Sequence, residues 1–286
     1  EGPRGPRIVA RGAVDDKGQT MTWLEAFRAY HAAGGLPLRV TVLVEGEEEI
    51  GSPSLAAFLA ANREELKADA VVISDTGMWD AATPAITTRL RGSTYVEIGL
   101  QVGARDLHSG LFGGSAQNAA NVLTRILGAL HDADGRVQVP GFYEGVEDVS
   151  PELLASWNAL AFDEAAFLGR MGLATPSGEK NRTALERLWA RPTADVTGMW
   201  SGYTGPGAKT VIPAQAHAKV SFRLVPGQDP AAVIDGLRRF VAARLPPEAE
   251  ATYDVLFQGR GLQIADDSRW VRAARAALSA EYGREP

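Results

Sequence analysis

Apolar and polar positions follow two different rhythms along this chain, and the change comes near Arg91. In the first part, Val40-Thr-Val-Leu-Val44 is apolar on both of its alternating faces. That pattern predicts a strand buried on both sides, the kind found in parallel sheets covered by helices. Val71-Val-Ile-Ser-Asp75 has the same form, and Ile8-Val9 makes a shorter third strand. Between them, Trp23, Leu24, Phe27 and Tyr30 recur at three- and four-residue spacing and predict a helix, with Gly34-Gly35 as its stop. Ser52-Pro53 supplies an N-cap and a first-turn proline for a second helix through Leu55, Phe58, Leu59 and Leu66. Strand, helix, strand, helix, strand predicts a parallel sheet with helical crossovers.

Beyond Arg91 the pattern predicts strand 93–103, helix 115–130, strands 195–200 and 217–225, helix 230–245 and strand 251–258. The order β-α-β-β-α-β is the ferredoxin-like arrangement. A Pro- and Gly-punctuated insertion, 132–192, interrupts it, with short helical patterns around 153–157, 164–170 and 184–189 and no evident place in the fold. A helix over 268–282 closes the chain. The expected fold class is therefore α/β: residues 1–91 and 263–286 as one discontinuous α/β layer, and 92–262 as an inserted α+β lid.

Composition narrows the function more than the fold. At 286 residues the chain is long enough for two domains with proper cores, and 45% hydrophobic with 22% charged residues excludes disorder as the main state. A net charge of −6 argues against a nucleic-acid partner, and no window approaches the roughly 18 apolar residues of a membrane span. Glu1 to Arg7 has neither an apolar core nor an initiator methionine, so it reads as neither a signal peptide nor a natural start. With no cysteine, any metal must be held by Asp, Glu or His. A cytoplasmic location suits this composition.

The acids cluster where the apolar runs end. Asp15, Glu49 and Asp75 each lie at or just past a predicted strand end, on the edge where open α/β sheets bind ligands. Taken with no arginine close enough in sequence to neutralise them, they repel one another unless cations bind among them. Glu48, beside a ligand but free of the metal, suits the general base that activates a water.

These residues carry a resemblance. Ala10-Arg-Gly-Ala-Val-Asp-Asp-Lys-Gly18, Glu45-Gly-Glu-Glu-Glu-Ile-Gly-Ser52, Ile73-Ser-Asp75, Asp106-Leu-His-Ser-Gly-Leu-Phe-Gly-Gly114, Gly207-Ala-Lys-Thr-Val-Ile-Pro213 and Phe222-Arg-Leu-Val-Pro226 resemble the di-zinc peptidases of the carnosinase and cytosolic nonspecific dipeptidase type, relatives of glutamate carboxypeptidase, acetylornithine deacetylase and aminoacylase. The resemblance implies a catalytic α/β layer with a lid that forms a homodimer. It implies two divalent metal ions, zinc first with manganese or cobalt as alternatives. Asp15 would bridge the ions, Glu49 would hold one, Asp75 the other, and Glu48 would be the base. A cis peptide between Asp15 and Asp16 is also implied.

His108, in the Asp-Leu-His-Ser-Gly block, would donate to the oxyanion in the partner subunit's site. His31, His131 and His217 read as structural or solvated. Arg223 points away from the apolar alternation of Val220, Phe222 and Leu224, and the resemblance gives it the grip on a peptide's terminal carboxylate. Lys209 and Thr210 sit in a stretch that imitates a phosphate loop. It has one residue too many and leads into an extended segment, so nucleotide binding is rejected and the two are assigned to the substrate.

The family's two zinc histidines would fall before Glu1 and after Pro286, so the chain reads as cut at both ends and hydrolytically inactive by itself. The stretch 257–263 also lacks the histidine that related dipeptidases carry near this point. The expected activity of the family is metal-dependent hydrolysis of dipeptides or short peptides. Alternatives are an N-deacylase or carboxypeptidase of the same family, or an inactive dimerisation module.

Overall fold

The computed structural model describes Gly5, Pro6 and residues 8–286, so most of the Glu1–Arg7 stretch lies outside the described residues. In chain order the elements are helices α1 (Lys17–Ala32) and α2 (Leu55–Ala61), strands β1 (Arg89–Leu90), β2 (Gly92–Val102) and β3 (Leu107–His108), then helices α3 (Ser109–Phe112) and α4 (Ala119–Gly128). Helices α5 (Pro151–Ala159) and α6 (Glu164–Gly169) follow, then strands β4 (Thr193–Ser201), β5 (Val211–Ile212) and β6 (Gln215–Leu224), helix α7 (Pro230–Ala242), strands β7 (Ala249–Gly259) and β8 (Leu262–Gln263), and helix α8 (Arg269–Tyr282). The chain divides into two compact units, Thr88–Ile264 and the pair of segments Glu1–Thr87 and Ala265–Pro286.

The Thr88–Ile264 unit is built on a four-stranded antiparallel sheet in the order β4-β6-β2-β7. The two central strands are the first and third of the motif, which is the ferredoxin-like topology. Strict alternation does the sorting. Val96, Ile98 and Leu100 of β2, and Ala218, Val220, Phe222 and Leu224 of β6, are buried on one face. Over that face lie Val122, Leu123 and Ile126 of α4 and Val233, Ile234, Leu237 and Phe240 of α7, forming one core. The Asn118 carboxamide accepts from the Asn121 N–H at 3.2 Å and starts α4, so this helix is shorter than the expected 115–130. Asp229, followed by Pro230, starts α7 in the same way.

The 132–192 insertion is pinned to this core near its start and tied to itself by an ion-pair network. Phe142 is buried against Phe222, and its carbonyl accepts from Gln228, whose own carbonyl accepts from the Val225 N–H. Gly145 and Gly227 meet backbone to backbone; a Cβ on Gly145 would lie 2.3 Å from the Gly227 carbonyl, so neither can carry a side chain. At the far end Arg191 forms a two-pronged ion pair with Glu179, both buried, and Arg136 and Asp148 extend the network. Burial opposes the Glu179 charge, yet the Arg191 and Tyr143 hydrogen bonds outweigh it and hold the carboxyl below its ordinary range. Burial, and then the hydrogen bond to Glu179, pushes the Tyr143 hydroxyl up to about 12.

The other unit corrects several expectations. No ladder forms at Ile8-Val9, Val40–Val44 or Val71–Ile73, although strands were expected at all three. These side chains stay open to solvent: Val44 is 77% exposed and Val71 82%. A strand buried on both faces needs hydrogen-bonding neighbours and a covering layer on each side, and the described residues of this unit supply neither. Among those residues Val271, on α8, is the one large apolar side chain that is buried. Helix α1 forms where the periodicity placed it and ends at Gly34 and Gly35, both with φ of +106°. Helix α2 starts at Ser54 instead of Ser52 and stops at Ala61, short of Leu66. The Glu47 carboxylate accepts from the Ser54 N–H at 3.0 Å, which moves the start.

Candidate active site

The expected metal and base residues all lie in the first unit. Asp15 precedes α1, across a cis Asp15–Asp16 peptide of the kind the resemblance implies. Glu48 and Glu49 lie in a single 3-10 turn, Glu48–Ile50, closed by Gly51 at φ +86°. The Ile50 and Ser52 N–H groups both donate to the Glu47 carbonyl and hold the turn together.

Arg11 links two of the acids. Its guanidinium donates to Asp15 at 3.1 Å and pairs with Glu49. The expectation that no arginine neutralises these carboxylates is therefore wrong: Arg11 is four residues from Asp15, one helical turn's reach, and sequence spacing alone already showed it. All three side chains are about half exposed or more, so the pairing is weak and a competing cation can displace it. Asp75 sits between Ser74, which accepts from the Trp23 indole N–H, and Thr76, whose carbonyl accepts from Gln19 at 3.3 Å. Both anchors, Gln19 and Trp23, are on α1, four and eight residues after Asp15. Among the described residues no group of three or more His, Asp or Glu is arranged to hold a metal ion. What does fit a cation is the Asp15 and Glu49 pair, two hard oxygen donors that already share one positive group.

The other unit brings together residues from two blocks about a hundred positions apart. His108 Nε2 lies 3.2 Å from Thr210 Oγ1. Strands β3 and β5 hold them in register, pairing Leu107 with Ile212 and His108 with Val211, and the Ser109 N–H donates to the Thr210 carbonyl. Asp106 accepts from the Ala214 N–H at 2.8 Å and locks the same two segments together. An open cavity of about 440 Å³ lies here, lined by Asp106, His108, Tyr203, Lys209 and Thr210 among others. The Lys209 ammonium lies 5.0 Å from the centre of the Tyr203 ring. Sequence reading gave Tyr203 and Asp106 no role of their own, although Asp106 opens one of the six blocks. It passed over this β3–β5 ladder because two-residue strands leave no periodic signal.

Arg223 does not line that cavity. It lies on the open face of the sheet, exposed, with its guanidinium 3.4 Å from the Tyr95 hydroxyl. Arg91 is nearby, and burial followed by the charge of Arg223 holds its guanidinium below the ordinary value. Two guanidiniums thus lie near each other at this end of the sheet, with the Asp195 carboxylate close enough to offset part of their charge. Of the other histidines, His217 stacks flat on Trp200 and lies 3.8 Å from Glu97, while His31 is exposed on α1 and His131 pairs with Val137.

Residues 88–249 match the peptidase dimerisation domain of the M20 peptidases. The human Beta-Ala-His dipeptidase is 30% identical over 287 residues, covering 98% of this chain and 56% of that protein. The Cys-Gly metallodipeptidase dug1 of Schizosaccharomyces pombe is 32% identical over 226 residues, covering 78% of this chain and 48% of the relative. Among solved structures, the M20 family metallo-carboxypeptidase Sso-CP2 from Sulfolobus solfataricus superimposes with a TM-score of 0.79 at 32% identity, covering 95% of this chain and 61% of that one. The chain spans about half the length of the curated relatives it matches.

Proposed function

The chain belongs to the M20 peptidase family, and on that premise we propose that it takes part in metal-dependent hydrolysis of dipeptides or short peptides. The observation that carries this reading is the cavity where His108 and Thr210, 102 positions apart, meet with Lys209. Asp15, Glu49 and Asp75 would hold two divalent ions, zinc first and manganese or cobalt second. Bound there, the ions would supply Lewis acidity to the scissile carbonyl and to the attacking water. Glu48 accepts a proton from that water and delivers it to the leaving amine. His108 donates a hydrogen bond to the carbonyl oxygen as its charge grows. Arg223, a planar fork with Arg91 nearby, binds the peptide's terminal carboxylate. Lys209 and Thr210 orient the substrate.

We place a homodimer through the lid, with His108 serving the partner's site. The outer strands β4 and β7 each pair on one side only within their sheet, and one such edge is a ready docking line. Cytoplasmic location remains part of this reading. Among the described residues no helix is long and apolar enough to cross a membrane.

Glu48→Gln is the test. Placed in the full-length enzyme and assayed on β-Ala-His and Cys-Gly with zinc or manganese, it should lower turnover by at least about 10²-fold while metal binding stays unchanged. Equal loss of metal would make Glu48 a ligand instead. The likeness to a metallo-carboxypeptidase favours one second reading, in which N-blocked peptides are cleaved from the carboxyl end. Faster turnover of N-blocked peptides than of free dipeptides would select it.

A further inference from the structure

We propose that Gly110 is a positioning residue for His108: it fixes the neutral imidazole with its proton on Nε2, so that the ring meets the cavity as a hydrogen-bond donor. The catalytic use of that donor rests on the peptidase reading above; the geometry of the ring does not.

His108 is the residue that begins α3, and its own ring caps the helix. The Gly110 N–H donates to Nδ1 at 3.0 Å. A ring nitrogen that accepts a hydrogen bond presents its lone pair, so in the neutral ring the proton sits on the other nitrogen. That nitrogen, Nε2, faces Thr210 Oγ1 at 3.2 Å, and the hydroxyl is therefore its acceptor. A carbonyl oxygen entering the cavity would replace the hydroxyl as acceptor without any change of tautomer.

Glycine at 110 is what makes room. A Cβ built there would lie 2.8 Å from His108 Cε1 and 3.2 Å from Nδ1, so the imidazole occupies the space of the missing side chain. The need is not conformational. Gly110 is helical and outside the left-handed region, where alanine is an easy substitute for the backbone. What alanine disturbs is the ring. The segments on either side are held independently by the β3–β5 pairing and by the Asp106 to Ala214 hydrogen bond, so the ring can move while its frame stays.

The experiment uses the whole chain, labelled with nitrogen-15 at glycine and histidine, at a pH where the imidazole is neutral. In the wild type, Nε2 should give a protonated-type signal and Nδ1 a lone-pair-type signal. A scalar coupling across the hydrogen bond should join Nδ1 to the Gly110 amide. In Gly110→Ala that coupling should disappear, and the ratio of Nε2–H to Nδ1–H tautomers should fall by about fivefold, the factor carried by one ordinary hydrogen bond. Thr210→Val should keep the coupling, since it touches only the other nitrogen. A wild-type ring protonated on Nδ1 overturns the proposal even if Gly110→Ala does not fold, and so does an alanine variant whose coupling and tautomer ratio are unchanged. A confirmed tautomer together with a full-length His108→Ala enzyme that still cleaves dipeptides at full rate would leave the positioning intact and defeat the catalytic reading of His108.

Discussion

Val96 and Ile98 in β2 are completely buried, while Val72 and Ile73, equally β-branched and in an equally apolar run, are each 70% exposed. The two runs have the same local preference and opposite fates. In the Thr88–Ile264 unit, β2 has a hydrogen-bonded neighbour on each side and α4 and α7 over its apolar face. In the other unit the run has an indole and a carboxamide from α1 beside it and no ladder. Apolar sequence thus states what a segment needs, and burial depends on whether other parts of the chain supply it.

This contrast can be broken by mutation. Phe222→Ala removes a fully buried ring from the sheet's core and should cost about 3 to 5 kcal/mol, whereas Val72→Ala should stay within about 0.5 kcal/mol. Because two units need not unfold together, hydrogen exchange read peptide by peptide is the suitable measure. Similar losses of protection from both variants would show that 71–73 is buried in solution.

Next in size is the buried pair. Arg191→Met strands Glu179 and should cost about 3 kcal/mol, the low end for a broken buried pair, because Arg136 and Tyr143 still reach the carboxylate. Protection should fall in 132–192 and stay unchanged in 92–102. Adding Glu179→Leu should recover part of the loss; a double variant as unstable as the single would show that packing of Arg191, not its charge, matters.

Acid should act on the same network. Glu179 and Glu186 have folded values below their ordinary 4.5, because hydrogen bonds from Arg191 and Tyr143, and from Thr183 and Arg182, outweigh the burial that opposes their charge. A depressed carboxyl stabilises the fold above its unfolded value and loses that contribution as pH falls through the folded one. Protection of 132–192 should therefore hold from neutrality down to about pH 4.5 and fall below it. A decline already complete by about pH 5.5 would require a different titrating group.

The smallest effect concerns helix starts. Asn118→Ala removes the cap of α4 and should cost about 1 kcal/mol, read as a lower denaturation midpoint of the Thr88–Ile264 unit. No change would mean that core contacts alone hold the first turn.

Legibility followed the range of the interactions. The strands and helices of the ferredoxin-like unit could be read within a few residues, because alternation and capping are local and the tertiary contacts agree with them. Helix α1 and its Gly34-Gly35 stop were equally plain. The six short blocks pointed to the family through residue types in order, which needs no geometry. Arg11 was legible too, four residues from Asp15, and was misjudged.

Other features depended on contacts no window contains. His108 meets Thr210 across 102 positions, and Glu179 meets Arg191 only when the insertion folds back on itself. The role of Gly110 depends on a ring angle that sequence does not encode. Whether Val40–Val44 and Val71–Ile73 become buried strands was also beyond their own pattern: a strand's unpaired N–H and C=O groups and its second apolar face must be satisfied by other segments. Sequence by itself determined the periodicities, the caps and the chemical types at the site. Tertiary structure decided which apolar runs were covered and which polar groups met, because hydrogen bonds and burial are made between segments and not within them.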